Sequence, residues 1–489
     1  MTTEVAAPTT YDGPPAGGTP GAGVPGAGRL IALLVSAAFV VILNETIMGV
    51  ALPDLMAEFG VPATTAQWLT TAFLLTMAVV IPVSGWLLTR LPLRTVFVIA
   101  MTSFTVGTLL AALAPAFGVL VAARVVQAVG TALMMPLLMT TILTIVPAER
   151  RGRMMGTISI VISVAPAVGP TISGIVLDQL SWRWMFWLVL PIAVLALVAG
   201  TAWIRNVTEP RRAPLDVVSV VLSALAFGGL IYGLSSIGES ASGHTPVPVW
   251  LPLVVGGAAL AAFVWRQLSL KDRALLDLRA FGTGTFTVAV LLVAVSMMAL
   301  FGTLILLPIY LQNALGLSTL TTGLMLLPGG LTMGLLAPVV GRLFDRVGPR
   351  PLVAPGALVA SGALWGMTSL DAGSGQAHVV ALHVVLSAGL AFMFTPLLTS
   401  ALGSLPQQLY SHGSAIVGTV QQVAGAAGTA LFVTVMTRAS TASASDGVPA
   451  AEAVADGVHA ALMWGGVISA AAVLVALAVR RPRAVTVGA

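Results

Sequence analysis

Long apolar stretches, each about as long as a membrane crossing, alternate along this chain with short polar connections. A helix needs roughly 20 apolar residues to span a bilayer. Fourteen runs approach or exceed that length: 31–52, 68–88, 95–114, 117–141, 154–177, 185–203, 217–235, 249–265, 285–307, 321–343, 351–370, 378–401, 414–437 and 459–479. The pattern predicts an all-α membrane protein with 14 transmembrane helices. Residues 1–28 are rich in Pro, Gly, Ala and Thr and have no apolar run, so they read as a disordered tail. A secretory signal starts with basic residues, whereas the first arginine here is Arg29, so the first run is read as a retained span.

Charge fixes an orientation for these spans. With the N-terminus inside, 19 of the 22 Lys and Arg residues fall on the cytoplasmic side, Arg183 and Arg438 fall outside, and Arg124 lies within a span. Such asymmetry follows the positive-inside rule and predicts an even number of spans with both termini cytoplasmic. Composition agrees: 57% of the 489 residues are hydrophobic and 8% charged, against roughly a quarter charged in soluble domains. The net charge of +5 therefore carries no implication of nucleic-acid binding. The chain has no cysteine, which excludes disulfides, thiolate metal sites and thiol nucleophiles.

A repeated loop organises the spans. Gly85-Trp-Leu-Leu-Thr-Arg90-Leu-Pro-Leu-Arg94 follows the second span, and Gly341-Arg-Leu-Phe-Asp345-Arg346-Val-Gly-Pro-Arg350 follows the tenth. Both fit Gly-x-Leu-x-x-Arg-x-x-x-Arg. Each stands between the second and third helices of a six-helix set, which makes spans 1–6 and 9–14 two pseudo-repeat bundles with spans 7 and 8 inserted between them. The predicted division is a tail at 1–28, an N-terminal bundle at 29–205, a two-helix insertion with its linkers at 206–280, a C-terminal bundle at 281–480 and a tail at 481–489. Paired repeats around a midplane site are the usual construction of secondary transporters.

Further motifs give the arrangement a family likeness. Leu43-Asn-Glu-Thr46 through Val50-Ala-Leu-Pro53, Ala123-Arg124-Val-Val-Gln127-Ala-Val-Gly130 and Ala165-Pro166-Ala-Val-Gly169-Pro170-Thr-Ile-Ser-Gly174 lie in spans 1, 4 and 5. Ser181-Trp-Arg-Trp184, Leu307-Pro-Ile-Tyr310-Leu-Gln312, Leu326-Leu-Pro-Gly-Gly330 and Gly418-Thr-Val-Gln-Gln422 continue the series. Together they resemble the major facilitator superfamily, in particular its fourteen-helix drug:proton antiporters of the QacA/EmrB type. The likeness implies the major facilitator fold, an antiporter motif at Pro166, Gly169, Pro170 and Gly174, and a conformational gate in the two repeated loops. Two departures stand out. The family's helix 1 acid falls at Asn44, with Glu45 beside it here, and its first-loop acid and glycine fall at Thr89 and Pro92, whereas the second loop keeps Asp345 and Gly348.

Glu45 is the carboxylate placed at membrane depth, and it is the leading candidate for proton coupling. A charge facing hydrocarbon costs several kcal/mol, so such residues face a protein interior or a wet cavity and are seldom kept for packing. A carboxyl group there can take a proton from one side, give it to the other, and pair with a cationic substrate in between. The alternative is a structural acid at a helix contact. Arg124 lies about 10–12 Å below the outer surface by helical rise, as Glu45 does, so the two can pair, with Arg124 tuning Glu45 or serving the proton route; the alternative is an arginine that holds helices together or reaches toward the headgroups. Asn44, Gln127, Thr131, Tyr310, Gln312, Asn313 and Gln421 are the expected polar positions of a substrate cavity. His383 is either a proton-transfer group or a simply hydrogen-bonded histidine. By the resemblance Gly85, Arg90, Arg94, Gly341, Asp345, Arg346 and Arg350 form the gate, with Asp345 able to bond an Arg or a neighbouring helix end; the alternative is a topology signal alone. Asp216, Asp272 and Asp277 read as solvated partners of nearby Arg or Lys.

The chain has no Gly-x-x-x-x-Gly-Lys-Ser/Thr loop and no His/Glu metal cluster. Polar residues clustered at one depth, as a membrane enzyme would need, are not seen. The expectation is therefore not an enzyme but a transporter that needs no cofactor and draws on the proton motive force. Its partners would be protons, small lipophilic substrates and the lipid bilayer, with no nucleic acid and no obligate protein partner. The specific reading is proton-coupled efflux of lipophilic, cationic or amphiphilic drugs across the cytoplasmic membrane, with a dedicated exporter of one metabolite or self-made antibiotic as the rival.

Overall fold

The computed structural model describes residues 27–204, 214–240 and 247–477. The predicted tails, apart from residues 27 and 28, and part of the 206–280 linker lie outside the described residues. The apolar runs form long helices: α1 (Ala27–Phe59), α2 (Trp68–Arg90), α3 (Leu93–Ala112), α4 (Phe117–Ile145), α5 (Arg151–Gln179), α6 (Arg183–Trp203) and α7 (Val217–Ser240) come first. Then follow α8 (Trp250–Leu270), α9 (Gly284–Asn313), α10 (Thr319–Val347), α11 (Arg350–Met367), α12 (Gln376–Gly403), α13 (Tyr410–Ser445) and α14 (Ala450–Ala476). Thirteen of these are long and apolar enough to cross a membrane. The exception is α11, whose 18 residues include a charged Arg350 at the start.

Several helices outrun their apolar cores. α1 continues seven residues beyond the predicted end at residue 52, because its last turns have partners of their own. Leu55 is fully buried. Glu58 accepts from the Trp182 indole N–H and from Arg183, both at 2.6 Å, and Arg183 also donates to the Ala114 carbonyl at 3.2 Å. Phe59 meets the rings of Phe117 and Trp182. Trp182 and Arg183 thus fasten the C-terminal end of α1 to the loops before α4 and α6.

Helix contacts sort into two groups. α1 packs on α4, α5 and α6, while α4 packs on α2 and α3 and α3 on α6. In the second group α9 and α11 pack on α12 and α14, α10 on α12, and α13 on α9 and α14. The groups meet along two seams, α5 against α10 and α2 against α13. The α7–α8 hairpin closes on itself through Gly229 and Gly256, where a Cβ on either would press on the other helix's backbone. Its α7 then packs on both α2 and α13 and so straddles one seam.

Polar bonds anchor this hairpin at the start of α7 and the end of α8. Arg266 donates twice to Asp216, at 2.7 and 2.8 Å, and Gln267 donates to the Ser219 hydroxyl at 2.7 Å. The Gln267 carbonyl accepts the main-chain N–H of Leu275 and of Leu276. Asp277 corrects an expectation here. Its side chain is 8% exposed instead of solvated, and it holds Arg279 at 2.6 Å. Packing of the turn at 278–282 against α8 and α9 accompanies its removal from water. The side chain of Asp272 lies outside the described residues.

Candidate functional site

The intramembrane site begins with the rotation of α1. Asn44 is fully buried and turns toward α4, where its side-chain oxygen accepts from Arg124 Nη1 at 3.0 Å. Two residues on, the Thr46 hydroxyl faces α5 and donates to the Ala165 carbonyl at 3.5 Å. Each helical step turns a side chain by about 100°. Glu45 therefore falls on the face of α1 between those two contacts, and it remains partly exposed.

Arg124 is buried, with 1% of its surface exposed. Its Nη1 donates to Asn44 and, at 3.1 Å, to the Gln127 side-chain oxygen. Gln127 in turn donates to Thr108 at 2.9 Å, tying α4 to α3. The Phe73 ring of α2 lies 4.1 Å beneath the guanidinium, a favourable cation–π placement. Glu45 is near enough for its charge to act on Arg124. Yet among the described residues no carboxylate oxygen comes within 4.0 Å of an Arg124 nitrogen. The direct pairing that equal depth allows is thus replaced by a bond to Asn44, because α1 presents residue 44, not 45, to α4. Arg124 Nε and Asn44 Nδ2 are buried without a hydrogen-bond partner.

The other expected cavity residues are spread more widely. Thr131 is buried one turn beyond Gln127, and its hydroxyl donates to the Gln127 carbonyl. Tyr310 is fully buried and donates to the Asp371 carbonyl at 2.6 Å, a tie within the second helix group away from Glu45. Gln312 is half-buried and Asn313 exposed at the end of α9, and Gln421 is half-buried in α13. The ring of His383 bonds the Leu326 carbonyl through Nε2 at 3.2 Å. Among the described residues no three His, Asp or Glu side chains converge as a metal site.

The arginine-rich end holds a second arrangement. Asp345 reaches from α10 to the first turn of α5, accepting the Gly152 N–H at 2.8 Å and the Arg153 N–H at 3.0 Å. A helix N-terminus offers unpaired N–H groups and a positive dipole end, so a carboxylate is the fitting cap. Gly341 lies against Gly152 so closely that a Cβ would overlap the Gly152 carbonyl oxygen. On the other seam Gly85 stands against α13, where a Cβ would meet the Ala415 methyl at 3.2 Å. Thr89 takes the place of Asp345 there, and among the described residues its hydroxyl bonds to Trp86 of its own helix. Arg90, Arg94, Arg346 and Arg350 are exposed around the two seams. Thr140 meets Ser414 at 3.3 Å, and Thr395 donates to Ser159 at 2.7 Å, so hydroxyl bonds join the two helix groups farther in.

In α5, Gly169 admits the Thr46 hydroxyl where a Cβ would stand, and Pro166 is half-buried. Gly174 has nothing within 4 Å of a Cβ position, so close packing does not account for it. The side chain of Pro170 lies outside the described residues.

Two helix groups thus meet along seams of close glycine contacts and hydroxyl bonds, with a buried arginine inside one of them, and sequence comparison gives the lineage. Residues 34–429 match the Major Facilitator Superfamily. The chain belongs to that superfamily. This major facilitator protein is 43% identical over 459 residues to the lincomycin resistance protein LmrB of Listeria monocytogenes, across 93% of this chain and 97% of that protein. It is 43% identical over 407 residues to LmrB of Bacillus subtilis, across 83% and 85%. The multidrug resistance protein B homolog of Mycobacterium tuberculosis is 30% identical over 424 residues, across 84% and 76%. In structure it resembles the human organic anion transporter MFSD10 with a TM-score of 0.64 at 14% identity, covering 91% of this chain and 100% of that one, a likeness of fold.

Proposed function

We propose that this major facilitator protein is a proton-coupled exporter of lipophilic, cationic or amphiphilic drugs. It works by alternating access between two six-helix bundles, α1–α6 and α9–α14. One observation carries the reading: Glu45, at membrane depth on α1, is partly exposed and has no hydrogen-bond or ion-pair partner among the described residues. A carboxyl group so placed can hold a proton or a cation in turn, which is what exchange requires. The resistance proteins among its relatives favour a drug as cargo, and their printed names make lincomycin the first compound to test.

In this reading α11 is a fourteenth span, and both termini are cytoplasmic, as the arginine distribution requires. The related positions of Gly85 against α13 and Gly341 against α5 support the paired-repeat layout. The membrane is then the bacterial cell membrane and the proton gradient the energy source. A proton arriving from outside neutralises Glu45, releases the cation outward, and leaves to the cytoplasm as the bundles rock back. The lincomycin names also favour a narrower version in the same fold, an exporter devoted to one antibiotic class.

Substrate-driven proton release from purified protein tests the proposal. Wild type should release protons on adding lincomycin or a lipophilic cation, and Glu45→Gln should not. Absence of release from both proteins rejects proton coupling, and equal release from both rejects Glu45.

A further inference from the structure

The geometry points to Asn44 as a positioning residue: its side-chain oxygen holds the Arg124 guanidinium away from Glu45, so that the Glu45 carboxylate stays available to a proton or a cation. The inference rests on the reading that Glu45 receives the cation.

Opposite charges at this depth attract strongly, because little water lies between them to screen the field. Left to that attraction, Glu45 and Arg124 would close into a buried ion pair, and the carboxylate would be lost to exchange. They do not touch, although the guanidinium lies within 3.4 Å of the Asn44 main-chain carbonyl, the peptide that leads into Glu45. A competing set of contacts must hold the arginine, and the structure shows it. Nη1 is shared between Asn44 Oδ1 at 3.0 Å and Gln127 Oε1 at 3.1 Å, with the Asn44 main-chain carbonyl at 3.4 Å. Gln127 is itself fixed by Thr108, and the guanidinium face lies on Phe73.

Of these contacts, Asn44 alone comes from the helix that carries Glu45. One residue presents a neutral acceptor to the cation, and the next, about 100° around the helix, presents a carboxylate elsewhere. Arg124 Nε, buried and without an acceptor, is the donor a carboxylate would take if the guanidinium were released.

Binding of two probes of similar size and different charge, tetraphenylphosphonium and uncharged triphenylphosphine oxide, separates this role from a structural one. Asn44→Ala should weaken tetraphenylphosphonium binding by about tenfold or more and leave triphenylphosphine oxide within about twofold of wild type. Retained binding of the neutral probe also shows that the variant is folded. Asn44→Asp, which still offers Arg124 an acceptor, should keep the cation affinity. Adding Arg124→Gln to Asn44→Ala should bring it back to that of Arg124→Gln alone. Wild-type cation binding by Asn44→Ala, parallel loss of both probes, or no recovery in the double variant would each overturn the inference. If Glu45→Gln binds tetraphenylphosphonium as wild type does, the cation role of Glu45 fails and this inference with it. If Glu45→Gln loses the cation and Asn44→Ala does not, only the role of Asn44 fails.

Discussion

Replacing Asp345 by Asn should loosen the arginine-rich end of the protein by a measurable amount. The carboxylate uses one oxygen for the Gly152 N–H and the other for the Arg153 N–H. A hydrogen bond to a charged group is worth about 1.5–3 kcal/mol, and partial exposure at this end reduces that to nearer 1 kcal/mol for each bond. An amide keeps one acceptor oxygen and loses both the second bond and the charge facing the α5 dipole. The net loss is then about 1–2 kcal/mol. Since 1.4 kcal/mol is a factor of ten, the population with this end open should rise by roughly 5- to 30-fold. Ser414 reports that population, because it is 1% exposed and bonded across the seam to Thr140. The chain contains no cysteine, so Ser414→Cys gives a single reactive thiol. Its reaction with a water-soluble maleimide should quicken by that factor in the Asp345→Asn background. Arg153→Gln keeps the main-chain donor and should change the rate less. Equal rates with and without the Asp345→Asn substitution would refute the cap as a latch.

Gly341→Ala should destabilise the protein by about 1–3 kcal/mol, because the added methyl has the Gly152 backbone in its place; Gly362→Ala, with open space around it, should be neutral in the same thermal melt. At the C-terminal end of α1 the hydrogen bond from Arg183 is the largest influence on Glu58; with the Trp182 N–H it outweighs burial and holds that carboxyl below its ordinary value. Its stabilisation is therefore present above the ordinary carboxyl pKa and lost as pH falls through the lowered one. Wild type should melt above Glu58→Gln at pH 7, and the gap should close below about pH 4; a gap independent of pH would contradict this. A reversible bifunctional thiol reagent joining Leu75→Cys and Gly228→Cys would fix α7 to α2, since a Cβ at Gly228 stands 3.8 Å from the Leu75 side chain. Drug transport should fall at least about fivefold and return on reduction. Undiminished transport at full cross-linking would show that α7 and α2 need not move apart.

Much of the fold could be read from run length alone. Every predicted span coincides with a helix, since about 20 consecutive apolar residues admit few other solutions. Helix ends were less legible. The last turns of α1 depend on Trp182 and Arg183, more than 120 residues away, and no local pattern encodes that. α11 is marginal because Arg350 lies inside its first turn instead of before it. At the site, helical rise puts Glu45 and Arg124 at one depth. It could not say which residue of α1 would face α4, and one step of rotation gave that place to Asn44. For Asp345 the loop motif, a lone acid among arginines, leaves both an arginine and a neighbouring helix end open as partners, and the folded chain uses the helix end. Tyr310 and Asp277 were harder to place: whether a polar side chain lines a cleft or is sealed between helices depends on neighbours distant in sequence.

The contact of Gly152 with Gly341 is backbone against backbone, so its fit depends on two absent side chains and not on the identity of any present one. The two glycines lie on the seam between the helix groups, in α5 and α10, whereas Asn44, Glu45 and Arg124 lie in α1 and α4. Side chains around the buried arginine can therefore change size or polarity without touching this contact. A methyl at either glycine would push the two groups apart where Asp345 now latches them, whatever the cargo.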